Sequence, residues 1–149
     1  MSFTGNYTCN TFLSGLMDGN FDFGTGTSQV FKIALYTSSA SLGESTTAYT
    51  TSGECPSTGN YTAGGNALTV NVTPTSSGNV AYVSFANTSW ANATITANGA
   101  LIYNTTLGKS NAAVAVLAFG GDKTSTDGTF AVNFPTADAT SAIIRLTAS

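Results

Sequence analysis

The chain holds few residues able to do chemistry. It has seven Asp and Glu, four Lys and Arg, two Cys and no His among 149 residues. Without histidine, the Ser-His-Asp arrangement and most zinc sites are out of reach. Two carboxylates alone can run glycoside hydrolysis when a cleft holds them on either side of a sugar. The candidates are Glu44 and Glu54, in one long connecting segment. Nothing in the pattern sets them across a cleft, and carboxylates on loops are mostly solvated. The segment "FGGDKTSTDGTF", Phe119 to Phe130, offers a second chemistry. Glycines followed by Lys and Thr evoke a phosphate cradle. That cradle needs the spacing G-x-x-x-x-G-K-[ST] and a helix after it. Gly120-Gly121-Asp122-Lys123-Thr124 has the wrong spacing, and a strand pattern follows. The segment reads as a β-hairpin loop. Asp122 and Asp127 are two hard oxygen ligands, fewer than a Ca²⁺ site collects from side chains. Cys9 and Cys55 fit no zinc spacing and read as small buried side chains. The expectation is a chain that is not an enzyme and takes no metal and no cofactor.

The elements that would position these residues are strands. In "VFKIALYT", Phe31, Ile33 and Leu35 alternate with Lys32, Ala34 and Tyr36, the period of a half-buried strand. "ALTVNVTP" places Leu68, Val70 and Val72 on one face, with Pro74 ending the ladder. "SSGN" is a turn before "VAYVSFA", and the two strands form a hairpin. "ATITANGALIYN", Ala93 to Asn104, reads either as a hairpin on Asn98-Gly99 or as one long strand bulged at Gly99. The second is favoured because each arm of the hairpin would be short. "NAAVAVLAFG" suits a strand buried on both faces. "GTFAVNFP" alternates Phe130, Val132 and Phe134, and "SAIIRLTA" closes the series. The fold class expected is all-β: an antiparallel β-sandwich, jelly-roll-like or immunoglobulin-like, of about seven to eight strands with a short N-terminal helix.

Two segments stand outside the alternation. "TCNTFLSGLMDG" sets Phe12 and Leu16 four apart with Gly19 after them, a short helix capped by Thr8 or Asn10. The stretch from Ser41 to Gly65 is long for a connection, and a helical turn is expected near Glu44 to Tyr49. The division expected is an N-terminal arm over 1–26 and a β-sandwich domain over 27–149. The arm is rich in aromatic residues. Phe3, Tyr7, Phe12, Leu16, Phe21 and Phe23 are the candidate interface residues, since buried aromatic anchors dominate interfaces. Covering one end of the sandwich is the competing use for them.

Charged residues make up 7% of the chain and the formal net charge is −3. Thr, Ser, Asn and Gly must supply the polar surface. Lys32, Lys109, Lys123 and Arg145 are too scattered to form the basic stripe that a nucleic-acid backbone requires. No stretch approaches the roughly 20 apolar residues of a membrane span. The first residues lack the basic and apolar regions of a signal peptide. Together these lead to an expected virion location: synthesis in a host cytoplasm, then exposure outside it. The Asn-X-Ser/Thr sites at Asn6, Asn60, Asn71, Asn87, Asn92 and Asn104 follow from a chain rich in Asn and Thr.

The ordered motifs "ALYT", "YTAGG", "GALIYN" and "FGGDK", within Phe31 to Leu146, resemble those of small virion proteins encoded by tailed bacteriophages. The resemblance implies a structural component of the head or the tail, with no catalytic residues and with "FGGDK" as a structural loop. The expected function is capsid decoration (cement) by a homo-oligomer, a trimer favoured, bound to the major capsid protein. A tail adaptor, tail-tip or fibre-anchoring subunit bound to tail proteins is the alternative. A carbohydrate-binding module, with Trp90, Tyr49 and Tyr61 as stacking residues, is the alternative from another class.

Overall fold

A computed structural model describes residues 3–27, 29–106 and 108–149. It is all-β and sandwich-like, with two antiparallel sheets and one helix. In chain order the elements are β1 (Tyr7–Thr8), α1 (Asn10–Met17), β2 (Phe31–Tyr36), β3 (Asn66–Leu68), β4 (Val70–Ser77), β5 (Val80–Phe85), β6 (Thr88–Asn104), β7 (Ala112–Val132) and β8 (Ile144–Thr147). The larger sheet has the order β1-β7-β6-β2-β3 and the smaller β4-β5-β8.

Alternation forms the main core. Phe31, Ile33 and Leu35 of β2 face Val83 and Phe85 of β5 and Ile144 of β8. The Phe31 and Phe85 rings lie 6.0 Å apart. The opposite face of the larger sheet is covered too. Ala34 and Tyr36 are buried there with Cys9, Ala40, Leu101, Tyr103, Ala113 and Val116, under the segment that follows β2. Burial on both faces is why "AAVAVL" is apolar without a period.

The region Ala93 to Asn104 is part of one strand, as favoured. Its register shifts between Ala97 and Gly99, where β7 advances from Ala118 to Lys123. The extra residues of the bulge therefore lie on β7. This corrects the hairpin-loop reading of "FGGDKTSTDGTF", which is interior to the 21-residue strand β7. Gly120 and Gly121 take φ values of 74° and 135°. Such backbone suits glycine at a bulge as well as at a turn. Asp122 then accepts a hydrogen bond from Asn98 Nδ2 at 2.8 Å, tying the bulge to β6. "GTFAVNFP" is likewise the end of β7, not a separate strand.

Pro74 does not end its ladder. It lies inside β4, at a register shift between Val72 and Thr75 on an edge strand, where no N–H is required. The hairpin expected next is present, with Ser77 paired to Val80 around Gly78 and Asn79. No helical turn forms near Glu44 to Tyr49. That stretch makes a tight turn, Thr46 N donating to Gly43 O at 3.1 Å, and then a single bridge from Ala48 to Ala112.

Helix α1 is capped by neither Thr8 nor Asn10. Thr8 belongs to β1, and Cys9 is the N-cap residue with no side-chain hydrogen bond at the cap. The cap is held by the backbone, Cys9 N donating to Val114 O of β7 at 2.9 Å. At the other end Gly19 N donates to Leu16 O and Asn20 N to Gly15 O, the paired bonds of a Schellman stop. Gly15 has no Cβ because one built there would sit 2.4 Å from the Phe21 ring.

Candidate interaction surface

The residues that might do chemistry are dispersed or occupied. Glu54 is half-buried and fully engaged. Its Oε2 accepts from Tyr49 Oη at 2.6 Å. Its Oε1 accepts from Tyr61 Oη at 3.0 Å and from Gly64 N at 2.5 Å. Tyr103 Oη donates to Gly64 O at 2.7 Å, and its ring stacks on Tyr49 at 4.7 Å. Burial first, and then the Glu54 charge, push the Tyr103 phenol up to about 12. Burial raises Tyr36, Tyr49 and Tyr61 further, with Glu54 again contributing. The arrangement is a polar clasp that pins residues 49–64 to the larger sheet. Glu44 is exposed, and the side-chain hydrogen bonds of Glu54 do not reach it. The two form no cleft-spanning pair.

Asp122 is spent on Asn98, while Asp127, at φ 46°, donates its backbone N–H to Thr94 Oγ1 at 3.0 Å. Among the described residues no group of three or more His, Cys, Asp or Glu could hold a metal. Cys9 and Cys55 are free and buried, and lie in different core clusters. Burial pushes the Cys9 thiol up to about 11 and, with Glu54 and Asp122, the Cys55 thiol up to about 12. Neither is a nucleophile at neutral pH. No helix among the described residues is long and apolar enough to cross a membrane.

The proposed sugar platform is corrected by burial. Trp90 is 2% exposed and Tyr61 1%, packed edge to face at 5.4 Å. Neither presents a ring to solvent, and Tyr49 stacks on Tyr103 instead. Of the Asn-X-Ser/Thr positions, Asn104 is fully buried and donates to Gln29 Oε1 at 2.8 Å.

The six N-terminal candidates separate into two groups. Phe12, Phe21 and Phe23 are buried in this chain's own core. Phe12 meets Phe21 at 4.9 Å, and Phe23 stacks on Phe31 at 4.5 Å. These three are a plug for their own sandwich and have no ring left for a neighbour. Phe3, Tyr7 and Leu16 are half-buried and pack against the two clusters. Phe3 N donates to Asn98 Oδ1 at 3.0 Å, and Tyr7 pairs with Val116.

What remains outside is a set of exposed apolar side chains. Met17 is 85% exposed, Leu146 46% and Leu13 37%. Leu146 and Leu16 line a groove of about 100 Å³ between α1 and the inner face of the smaller sheet, with Pro74, Ala81 and Tyr82. Leu13 and Met17 lie four apart on the same helix, beside Leu16. The signal was present in "FLSGLM", where Leu13 and Met17 fall off the Phe12 and Leu16 stripe. Burial alone shows that this second stripe is bare.

Comparison with known proteins finds no matching family model, no matching curated protein and no matching solved structure.

Proposed function

We propose that this chain is a structural subunit of a bacteriophage virion, acting first as a decoration protein on the outside of an assembled capsid. The observation that carries the proposal is the exposure of Leu13 and Met17, one turn apart on α1, on a chain with so little charge. Exposed apolar side chains one helical turn apart offer a partner an apolar strip, and flexible Met and Leu side chains adapt to its contour. The motif series resembling virion proteins of tailed phages supports the choice of partner. The mechanism is mass action. A protein that binds the assembled lattice, and not its free subunits, stabilises the lattice in proportion to its occupancy. A homotrimer at a symmetry axis suits such a role.

The test uses heads prepared without the protein. Adding the wild-type chain should raise their melting temperature or their retention of DNA. Adding Met17→Lys should not, although its circular dichroism is unchanged. Heads equally stable with and without wild type would remove the cementing role. The same resemblance supports a tail subunit as the second reading. Copy number separates the two: hundreds per particle for decoration, against about 3 to 12 for a closed tail ring.

A further inference from the structure

Among the described residues, strand β8 ends the smaller sheet and pairs with β5 alone. The alternation of that ladder fixes what β8 shows to its free side. Ala148 N donates to Asn79 O at 2.7 Å, so these residues form a hydrogen-bonded pair. In an antiparallel ladder bonded and non-bonded pairs alternate. Leu146 with Ala81 and Ile144 with Val83 are then bonded, while Thr147 with Val80 and Arg145 with Tyr82 are not. The backbone N–H and C=O groups of Arg145 and Thr147 therefore point away from β5.

On that side lies a cleft of about 390 Å³, lined by Arg145, Thr147 and Ser141 and, from β1 and the residue before it, Thr8 and Asn6. No carboxylate lines this cleft, although acids outnumber bases in the chain. Arg145 is the only arginine. One of its guanidinium nitrogens donates to Thr140 O, which holds the side chain at the rim and leaves other donors unused. The nearest acid, Asp138, takes the N–H groups of Thr140 and Ser141 at 2.8 and 2.6 Å, and the Arg145 charge adds only the last of the effects that hold its carboxyl below the usual range. The other wall needs no added strand, because β1 already occupies the edge of β7 there.

We infer that the free edge of β8 is a docking site for an extended, acidic segment of another polypeptide, which adds as a fourth strand to the smaller sheet. The added strand would take its backbone hydrogen bonds from Arg145 and Thr147. Its residue directly opposite Arg145 has its side chain on the face of the guanidinium, so a Glu or Asp there forms a cross-strand ion pair. The inference is independent of the virion reading and of the exposed apolar side chains of α1.

The test uses the full chain and capped synthetic pentapeptides of sequence Thr-Val-Glu-Val-Thr, with Gln or Lys at the centre as controls. Amide hydrogen exchange and NMR shifts are followed by residue. The Glu peptide should slow exchange at Arg145 and Thr147. Replacing its Glu with Gln, or making Arg145→Gln in the protein, should weaken binding about two- to fivefold, the worth of a cross-strand charge pair. Thr147→Pro removes one outward N–H from an edge strand and should abolish binding. Equal binding of the Lys peptide would overturn the inference, as would no change at β8 under saturating peptide. Protection of β8 that grows with protein concentration alone would also overturn it, by making a second copy the occupant.

Discussion

The two faces of the larger sheet are both dry, and they are held in different ways. The face toward the smaller sheet is closed by rings: Phe12, Phe21, Phe23, Phe31 and Phe85 pack against one another with centroids 4.5 to 6.1 Å apart. The opposite face is closed by a long irregular segment whose fit depends on hydrogen bonds. Glu54 there takes Tyr49 and Gly64, and reaches Tyr61, whose ring lies in the main core, while Tyr36 Oη donates to Thr50 O at 2.6 Å. The first face is non-directional, and its cost of injury scales with volume removed. The second is directional, and a single unmatched donor injures it.

Removing residues 1–26 should have the largest effect. It takes Phe12, Phe21 and Phe23 out of the ring-packed face and β1 off the edge of β7. A buried Phe cut to Ala already costs about 3–5 kcal/mol, so three lost together are comparable to the whole stability of a domain, about 5–15 kcal/mol. Circular dichroism should show loss of the β-sheet signal. A truncated chain that melts cooperatively would mean that the faces close independently.

Alkaline pH should strike the clasped face next. Tyr103 is raised from 10.0 to about 12, and Tyr36, Tyr49 and Tyr61 are also raised. A group with a raised folded pKa stabilises the fold fully below its unfolded value, and that contribution drains as pH climbs through the folded one. The stability contributed by these phenols should be flat below pH 10 and fall above it. Phenolate absorbance and ellipticity should change together, since these rings ionise as the fold opens. Phenolate forming well before the ellipticity changes would show that the clasp is open to water.

Glu54→Gln asks how directional the clasp is. The amide nitrogen of Gln would meet a hydroxyl or N–H where an acceptor is needed. A cost of about 1–3 kcal/mol in a urea titration is expected. A loss below the error of the titration would make the clasp decorative. Asp122→Ala, which frees Asn98 and the bulge of β7, should cost least, about 1 kcal/mol. Its effect should be confined to faster amide exchange around 118–123.

The period was readable in the β4–β5 hairpin, where one face is buried and the other is not, and in β2, whose second face is also buried but carries Lys32, Ala34 and Tyr36. The merging of two expected strands into β7 was not readable. Gly120-Gly121-Asp122 and Asp127-Gly128 are the residues a turn would use. Whether they turn or bulge depends on β6 continuing opposite them, through Ala97 and Ala93. The aromatic residues of "FDFGTGTSQ" have no period of their own, so their place in the core is fixed only by Phe12, Phe31 and Phe85. Glu54 looked like one more solvated loop carboxylate. Its partners lie at positions 49, 61 and 64, a spacing that no local rule joins. Leu13 and Met17 were visible as residues, yet their exposure depends on where α1 docks.

Strands β6 and β7, 17 and 21 residues long, run as one bar through the body and beyond the residues that β2 covers. At about 3.3 Å per residue, such a bar is long for the molecule that carries it. A pull directed along it loads the rungs from Thr88–Val132 to Asn104–Ala112 in shear, so that many must fail together. A pull that peels β8 from β5 meets four pairs, one after another. The short edge strands β1 and β3 are held by two and three pairs, so the molecule is stiff along one axis and yields at its edges.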